Sequence, residues 1–533
     1  VSIFEYDNMS LLKKAINNTC EIEFERDLLG NIIKEKQGDH WVTSEYNNNG
    51  NRIHIASSLG ADIHMDYDHT SGLLNNMHTH NWGIKQKRDN VGRVIEEEFK
   101  GGLAQEWQYD QLGNLTAQIS KFNNKTQHHR SYKWDIDNRL KTINDSKNGQ
   151  RNFKHDTYGN LSQVIFSDGS IQYKMPDAVG NIFEDKEQKS RKYDKGSRLL
   201  KTKNASYKYD EEGNLIEKKE KKGGVWQYNW QGNGMLKSVK RPDGHTVSFG
   251  YDALGRRIYK KFKKTITKFV WDGNTPLHEW KENIHTGEIL GGEEGTITWL
   301  FEENSFSPIG KIKGNKTYNI TCDHIGTPYK MYSNDTGEQI WDCDLDIYGN
   351  VRSTNSRSSC PFRYQGQYED TETGLYYNRF RYYSPETGMY ISQDPIGLEG
   401  NNPNIYAYVP DVNGWVDPLG LDCVKRAKDS IENQLSKGKN ATVTLNNREQ
   451  AEALLRAITS GPGHKGAYMN TTEAGSFSLR KADSDWLPRP SNRKRGTYHW
   501  DEYNPNASAG DHALQGAHLQ VHTFEGKVIR VFY

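Results

Sequence analysis

The chain has 533 residues, 70 Lys and Arg against 69 Asp and Glu, and only 34% hydrophobic residues, with Gly 49, Tyr 30 and Trp 13. A net charge of +1 gives no whole-chain basis for nucleic-acid or membrane binding, and no apolar run approaches the roughly 20 residues of a transmembrane helix. Cys20, Cys322, Cys343, Cys360 and Cys423 fall at irregular spacings, which excludes a disulfide framework and fits folding in a reducing cytosol.

The length exceeds one ordinary domain of roughly 100–200 residues. Aromatic residues scattered through polar sequence indicate many short strands rather than a few oily helices. Val1 does not open a signal peptide, and the chain begins inside a repeat, so a longer protein with a delivery region upstream is expected.

From the start to about residue 380 one phrase recurs every twenty residues or so. It reads aromatic-Asp, two or three residues, Gly-Asn/Arg, apolar. It is clearest as Tyr109-Asp110-Gln111-Leu112-Gly113-Asn114-Leu115, Tyr209-Asp210-Glu211-Glu212-Gly213-Asn214-Leu215 and Tyr251-Asp252-Ala253-Leu254-Gly255-Arg256-Arg257. Weaker copies stand at Tyr67-Asp68, Trp134-Asp135, His155-Asp156, Pro176-Asp177 and Tyr193-Asp194. A full copy supplies an aromatic to pack, an Asp to bond its own backbone and a Gly free to take positive φ, the chemistry of a strand ending in a turn. The segments between copies, such as Asn160–Phe166, alternate apolar and polar as half-buried strands do. A single Tyr-Asp pair is only a turn; the repetition predicts a long antiparallel β-ribbon over 1–380.

The repeat ends in YISQDPIGLEGNNPNIYAYVPDVNGWVDPLGL, residues 390–421, where two Asp-Pro-x-Gly modules bracket an aromatic segment. With the phrase Asp323-His324-Ile325-Gly326-Thr327-Pro328 and the run Gly374–Tyr383, residues 1–421 resemble the YD-repeat proteins of the Rhs family of polymorphic toxins. The resemblance implies a mainly β architecture: a hollow shell over 1–380, a terminating hinge over 381–421, and a small α+β toxin domain over 422–533 carried inside the shell. It also implies that Asp394 and Asp417 form an intramolecular aspartyl protease that cuts between Leu421 and Asp422, leaving shell and toxin associated without a covalent bond. Two carboxylates held close cannot both ionise, so one keeps a proton and can protonate the leaving amide while the other activates water. The bland reading is that both residues merely open Asp-Pro turns; Trp415 and Pro418 read as packing and turn residues.

Residues 422–533 carry 16 Lys and Arg against 12 Asp and Glu, whereas 1–421 carry 54 against 57, so positive charge concentrates at the C-terminal end. Arg489, Arg493, Lys494 and Arg495 lie in one loop directly ahead of Gly496-Thr497-Tyr498-His499-Trp500, and basic residues interleaved with aromatics suit a phosphate backbone with stacked bases. Such a loop also serves as an ordinary solvated surface. The pattern predicts helices over 424–435 and 447–459, a short strand over 441–445, and strands over 476–480, 497–503, 518–524 and 527–533, the last two forming a hairpin.

On the strand His518-Leu519-Gln520-Val521-His522, residues 518, 520 and 522 share one face. His499 and Arg530 on neighbouring strands can join them. A His to deprotonate a ribose 2′-hydroxyl, a His to protonate the leaving oxygen and a cation for the phosphorus charge would make a metal-independent ribonuclease. The layout resembles small ribonuclease toxins of the barnase and colicin type. His518 and His522 stand about 13 Å apart along a strand, so His499 with one of them is the preferred acid–base pair, and neither metal nor cofactor is expected.

Other readings stay open: structural histidines, a divalent-metal DNase using His518, His522 and His512 or Asp511, an NAD-consuming ADP-ribosyltransferase built on Tyr498-His499 and Glu502, or a non-enzymatic adhesive tip. A zinc deaminase is excluded because Cys423 is the only cysteine of the domain. The resemblance further implies interbacterial competition: synthesis in the bacterial cytoplasm, export by a secretion apparatus such as type VI, action in the target-cell cytoplasm, and a cognate immunity protein; RNA as the substrate rests on the residues of the C-terminal domain.

Overall fold

The computed structural model describes residues 2–356, 359–397 and 403–421, and within 422–533 the backbone of six strands. Residues 2–354 form two long antiparallel meanders. The first has 17 strands, from Ile3–Tyr6 to Ile171–Tyr173, and the second has 16, from Lys192–Tyr193 to Val351–Thr354. Within each, every strand pairs with the next in sequence, as in Leu103–Tyr109 with Leu115–Phe122 and Thr246–Tyr251 with Arg257–Phe262. The predicted ribbon is therefore present, divided in two around the short pair Met175–Pro176 and Ile182–Phe183.

The turns work as the repeat phrase implies. Asp110 Oδ1 accepts from the N–H of Leu112 and of Asn114, both at 2.9 Å, while Gly113, at φ +88°, donates its N–H to the Asp110 carbonyl. The preceding aromatic reaches back across the ribbon: the hydroxyls of Tyr109 and Tyr251 donate to the carbonyls of Val94 and Leu236, each at 2.8 Å. The Trp residues at this position do the same through Nε1, Trp230 onto the Leu215 carbonyl and Trp271 onto that of Arg257. One phrase thus closes a turn and clamps its strand to the preceding one, which is why it repeats with the hairpin period.

The two meanders lie side by side. Gln37 Nε2 donates to the Trp271 carbonyl, Ser57 Oγ and His278 Nε2 stand 2.7 Å apart, Trp82 Nε1 donates to Asn319 Oδ1, and the Gly101 N–H donates to Asn334 Oδ1. These partners are 234, 221, 237 and 233 residues apart in sequence. Such a near-constant offset means the ribbon coils, with one circuit lying along the next. Ile55, Ile63 and Met65 of the first meander share a core with Leu277, Trp280 and Leu300 of the second. Among the described residues no strand pairing joins the two meanders, so coiling works by burying their apolar side chains against each other.

A four-stranded sheet, Tyr368–Asp370, Leu375–Asn378, Arg381–Ser384 and Met389–Tyr390, follows and runs across residue 380. Its two faces enter different cores: Tyr377 and Tyr382 pack with the second meander, while Tyr376, Tyr383 and Tyr390, with Tyr406 and Tyr408, pack with the first. Hydrogen bonds tie this segment to both circuits, from Tyr406 OH to the Gly213 carbonyl, from the Leu161 N–H to the Pro410 carbonyl, and between the Tyr251 and Tyr382 hydroxyls. Among the described cysteines, Cys20, Cys322, Cys343 and Cys360 form no disulfide.

In the C-terminal domain the strand order is 441–444, 528–532, 518–522, 497–501, 476–480, 468–472. The outer pair Ala441–Thr444 and Val528–Phe532 is parallel and the rest are antiparallel. This corrects the expected four-stranded antiparallel sheet in two respects: Tyr468–Thr472 adds a strand, and Ala441–Thr444 joins the sheet in parallel. Both expected helices lie outside the described residues.

Candidate active site

The two Asp-Pro-x-Gly modules converge on one guanidinium. Arg381 Nη2 lies 2.9 Å from Asp394 Oδ2 and 3.3 Å from Asp417 Oδ2. The three residues are 1%, 7% and 3% exposed, so the cluster is removed from bulk water. Arg381 also grips the backbone of the second module and of the segment between the two, donating from Nε to the Gly420 carbonyl at 2.5 Å and from Nη1 to the Ile405 carbonyl at 3.2 Å. Its guanidinium lies 3.7 Å from the centroid of the Tyr390 ring.

Each Asp divides its work between its two oxygens. Asp394 Oδ1 accepts from the Ile396 N–H and Asp417 Oδ1 from the Leu421 N–H at 2.7 Å, which are the turn roles of the bland reading. The Oδ2 atoms face Arg381, which a plain turn does not require. Asp417 Oδ2 further accepts from the Tyr390 hydroxyl at 2.7 Å, and Asn378 Nδ2 donates to both the Tyr390 hydroxyl and the Asp417 carbonyl. Burial, with the Asp417 charge next to it, pushes the Tyr390 phenol well above its ordinary pKa and keeps it a neutral donor. Leu421, whose N–H rests on Asp417, is the residue before the expected scissile bond.

Arg381, Tyr390 and Asn378 were not singled out by sequence reasoning. Arg381 and Asn378 sit in the run Gly374–Tyr383, which served only to carry the family resemblance and in which Arg379 and Arg381 alternate with Phe380 and Tyr382. The signal available was the density of aromatics around one Arg. Arg381 also changes the charge argument. A cation between two carboxylates offsets their repulsion, so proximity alone does not force one of them to stay protonated. Trp415 packs at the edge of the first core, as expected of a packing residue.

In the C-terminal sheet the register sets His499 opposite Gln520, and Gln520 opposite Arg530. His518 pairs with Asp501 on one side and Phe532 on the other, and His522 pairs with Val528. His499, Gln520 and Arg530 therefore form one row across three strands, with His518 and His522 on the two diagonals from His499, at about 7–8 Å by sheet geometry. The backbone thus brings together the four positions expected to act. Arg489, Arg493, Lys494 and Arg495, like His512, Asp511 and Glu502, lie outside the described residues.

The chain is 29% identical over 442 residues to "Double-stranded DNA deaminase toxin A" of Burkholderia cenocepacia, a match covering 75% of this chain and 30% of that protein. It is also 29% identical over 287 residues to "tRNA3(Ser)-specific nuclease WapA" of Bacillus spizizenii, covering 49% of this chain and 12% of that protein. The chain thus spans under a third of the length of these relatives. Among solved structures, "Crystal Structure of TcdB2-TccC3-TEV" superposes with a TM-score of 0.58 at 16% identity over 79% of this chain and 25% of that one, which identifies the fold as a coiled β-shell. The Teneurin YD-shell family model matches residues 92–405, more than half of the chain. With the turn phrase and the coiled ribbon already in place, the chain belongs to the Teneurin YD-shell family, in the form of an Rhs/YD-repeat polymorphic toxin shell.

Proposed function

We propose that residues 1–421 encapsulate residues 422–533, cut themselves free of them after Leu421, and deliver them as a toxin in competition between bacteria. The observation that carries the cleavage reading is the shared Arg381 contact of Asp394 and Asp417, with the Leu421 N–H on Asp417. One carboxylate removes a proton from a water molecule, whose oxygen attacks the Leu421 carbonyl carbon. The proton passes through the pair to the Asp422 nitrogen as the C–N bond breaks, leaving a carboxylate at Leu421 and a new amino terminus at Asp422. Arg381 and Tyr390 hold the pair in place. Mass analysis of the denatured wild-type chain tests this: an intact 533-residue product would refute it.

For the released domain we favour a metal-independent ribonuclease acting in the target-cell cytoplasm. The row His499, Gln520, Arg530 supports it, flanked by His518 and His522 and preceded by the basic loop. The relatives carry different toxin activities by name, a tRNA nuclease, a DNA deaminase and a probable deoxyribonuclease among them, so the reading rests on this domain's own residues. On this reading an immunity protein acidic enough to cover the basic loop protects the producing cell, and a secretion apparatus such as type VI exports the loaded shell. Purified residues 422–533 incubated with total RNA and a chelator, and separately with NAD or DNA, discriminate the readings. Intact RNA with depleted NAD would move the assignment to a transferase, and chelator-sensitive DNA loss to a metal nuclease.

A further inference from the structure

Away from the hinge, the first meander carries a row of side chains for which neither the fold nor the cleavage site has a use. In register across four adjacent strands, Glu45 lies opposite His54, His54 opposite His64, and His64 opposite His78. The three imidazoles stack, with ring centroids 4.5 Å apart for His54 and His64 and 5.4 Å for His64 and His78. The alternate residues Ile55, Ile63, Met65 and Met77 are buried, so the histidines occupy the opposite, more accessible face. A β-strand has no need of three consecutive cross-strand histidines for packing on such a face.

Asp62 draws two of them together. His54 Nε2 is 2.7 Å and His64 Nε2 is 3.3 Å from the same oxygen, Asp62 Oδ1, and one ligand atom from each of the three residues lies within 4.8 Å of the others. Two imidazole nitrogens and one carboxylate oxygen, with a fourth position open to water, are the donor set of a zinc site. The outer arrangement agrees as well. His54 presents its other ring nitrogen, Nδ1, to Glu45 Oε1 at 3.3 Å, and a ligating histidine characteristically donates its second N–H to a carboxylate, which fixes tautomer and ring orientation.

We propose that His54, Asp62 and His64 form a binding site for a divalent transition-metal cation of the zinc class, oriented by Glu45 and bordered by His78. The cation displaces the proton shared between imidazole and carboxylate, so binding releases protons and weakens as pH falls. Imidazole ligands favour Zn²⁺ over Mg²⁺ or Ca²⁺, which take all-oxygen shells. Bound there, the ion would cross-link the hairpin made by Arg52–Ser57 and Asp62–Tyr67, a clamp on a single-layer ribbon independent of the toxin's own histidines.

The test is Zn²⁺ titration of the full chain after chelator treatment, with bound metal counted by elemental analysis, for wild type, His54→Gln and His64→Gln. We expect each variant to lose one equivalent relative to wild type, and Glu45→Gln to keep it with affinity lowered by about 10-fold or more. Unchanged stoichiometry and affinity in both histidine variants overturns the proposal. A second measurement needs no variant: Zn²⁺, but not Mg²⁺, should protect His54 and His64 of the unaltered chain from diethyl pyrocarbonate, mapped by peptide mass. Equal modification with and without Zn²⁺ would likewise reduce the row to a hydrogen-bonded ladder.

Discussion

Replacing Asp417 by Asn removes one carboxylate from the hinge while keeping the size of the side chain. Asn Oδ1 can still accept from the Leu421 N–H, and Asp394, 2.9 Å from Arg381 Nη2, still neutralises the buried cation. What is lost is a 3.3 Å ion pair and a charge-assisted bond from the Tyr390 hydroxyl at 2.7 Å. Bonds to charged groups are worth about 1.5–3 kcal/mol each, but the amide replaces part of both, so the stability loss should stay near 1–3 kcal/mol. The chemical loss is larger. Removing an acid or base slows a reaction by about 10² to 10⁴, equivalent to about 3–5 kcal/mol of barrier. The assay is denaturing mass analysis over a time course after synthesis, with the new amino terminus sequenced. We expect wild type to yield residues 422–533 and Asp417→Asn to remain a single chain with native circular dichroism. A fragment beginning at Asp422 that accumulates in the variant at the wild-type rate would refute the protease assignment, and the same comparison applies to Asp394→Asn.

Glu97 is buried, with its carboxyl pushed up to about 8 by desolvation and the nearby Glu302 charge, against 4.5 for the ordinary group. The folded state therefore holds this proton more tightly than the unfolded chain, so its contribution to stability falls as pH rises from about 4.5 to about 8 and is flat above. Glu97→Gln should remove that slope and raise stability at pH 8 by up to about 4 kcal/mol, read from denaturant melts at several pH values. Gly366 sits at φ +82°, and an added methyl would overlap the Pro418 carbonyl. Gly366→Ala should lower the melting temperature and slow cleavage together, because the backbone of the second module must move. In the C-terminal domain, His499→Ala and His518→Ala should each abolish RNA degradation and toxicity without loss of fold, scored by growth on induction and by RNA gels. Neutralising Arg493, Lys494 and Arg495 should weaken RNA binding in a salt-dependent way and leave the rate at saturation nearly unchanged.

The ribbon was legible because its turn phrase is local: Asp, Gly and an aromatic within seven residues specify one hairpin and are then repeated. Its coiling was legible only through the family resemblance and not through the repeat itself, since the contacts that set the circuit, such as Trp82 with Asn319, pair single polar groups far apart in the chain and leave no periodic trace. The hinge carboxylates stood out through their Asp-Pro-x-Gly setting, but Arg381 did not. The aromatics crowded around it mark a packed strand and say nothing of a partner, and only the fold brings its guanidinium to two modules at once. In the C-terminal sheet, the strand Ser476–Arg480 alternates and was predicted, whereas Tyr468–Thr472 does not alternate and was missed. The parallel partner of Ala441–Thr444 comes from the far end of the domain, beyond the reach of any window-based reading.

The spacing of contacts in the coiled ribbon also sets an order of events during folding. Each hairpin closes a short loop and forms early, while contacts spanning more than 200 residues form only after the entropy of a very large loop has been overcome. Residues 360–421 hydrogen-bond to Leu161 of the first circuit and to Gly213 and Tyr251 of the second, so they dock last, on a surface that exists only once both circuits are side by side. Arg381, Asp394 and Asp417 meet in that final step. Peptide-bond cleavage at this hinge would then act as a proofreading checkpoint, licensed by a finished shell and withheld from a chain still being assembled.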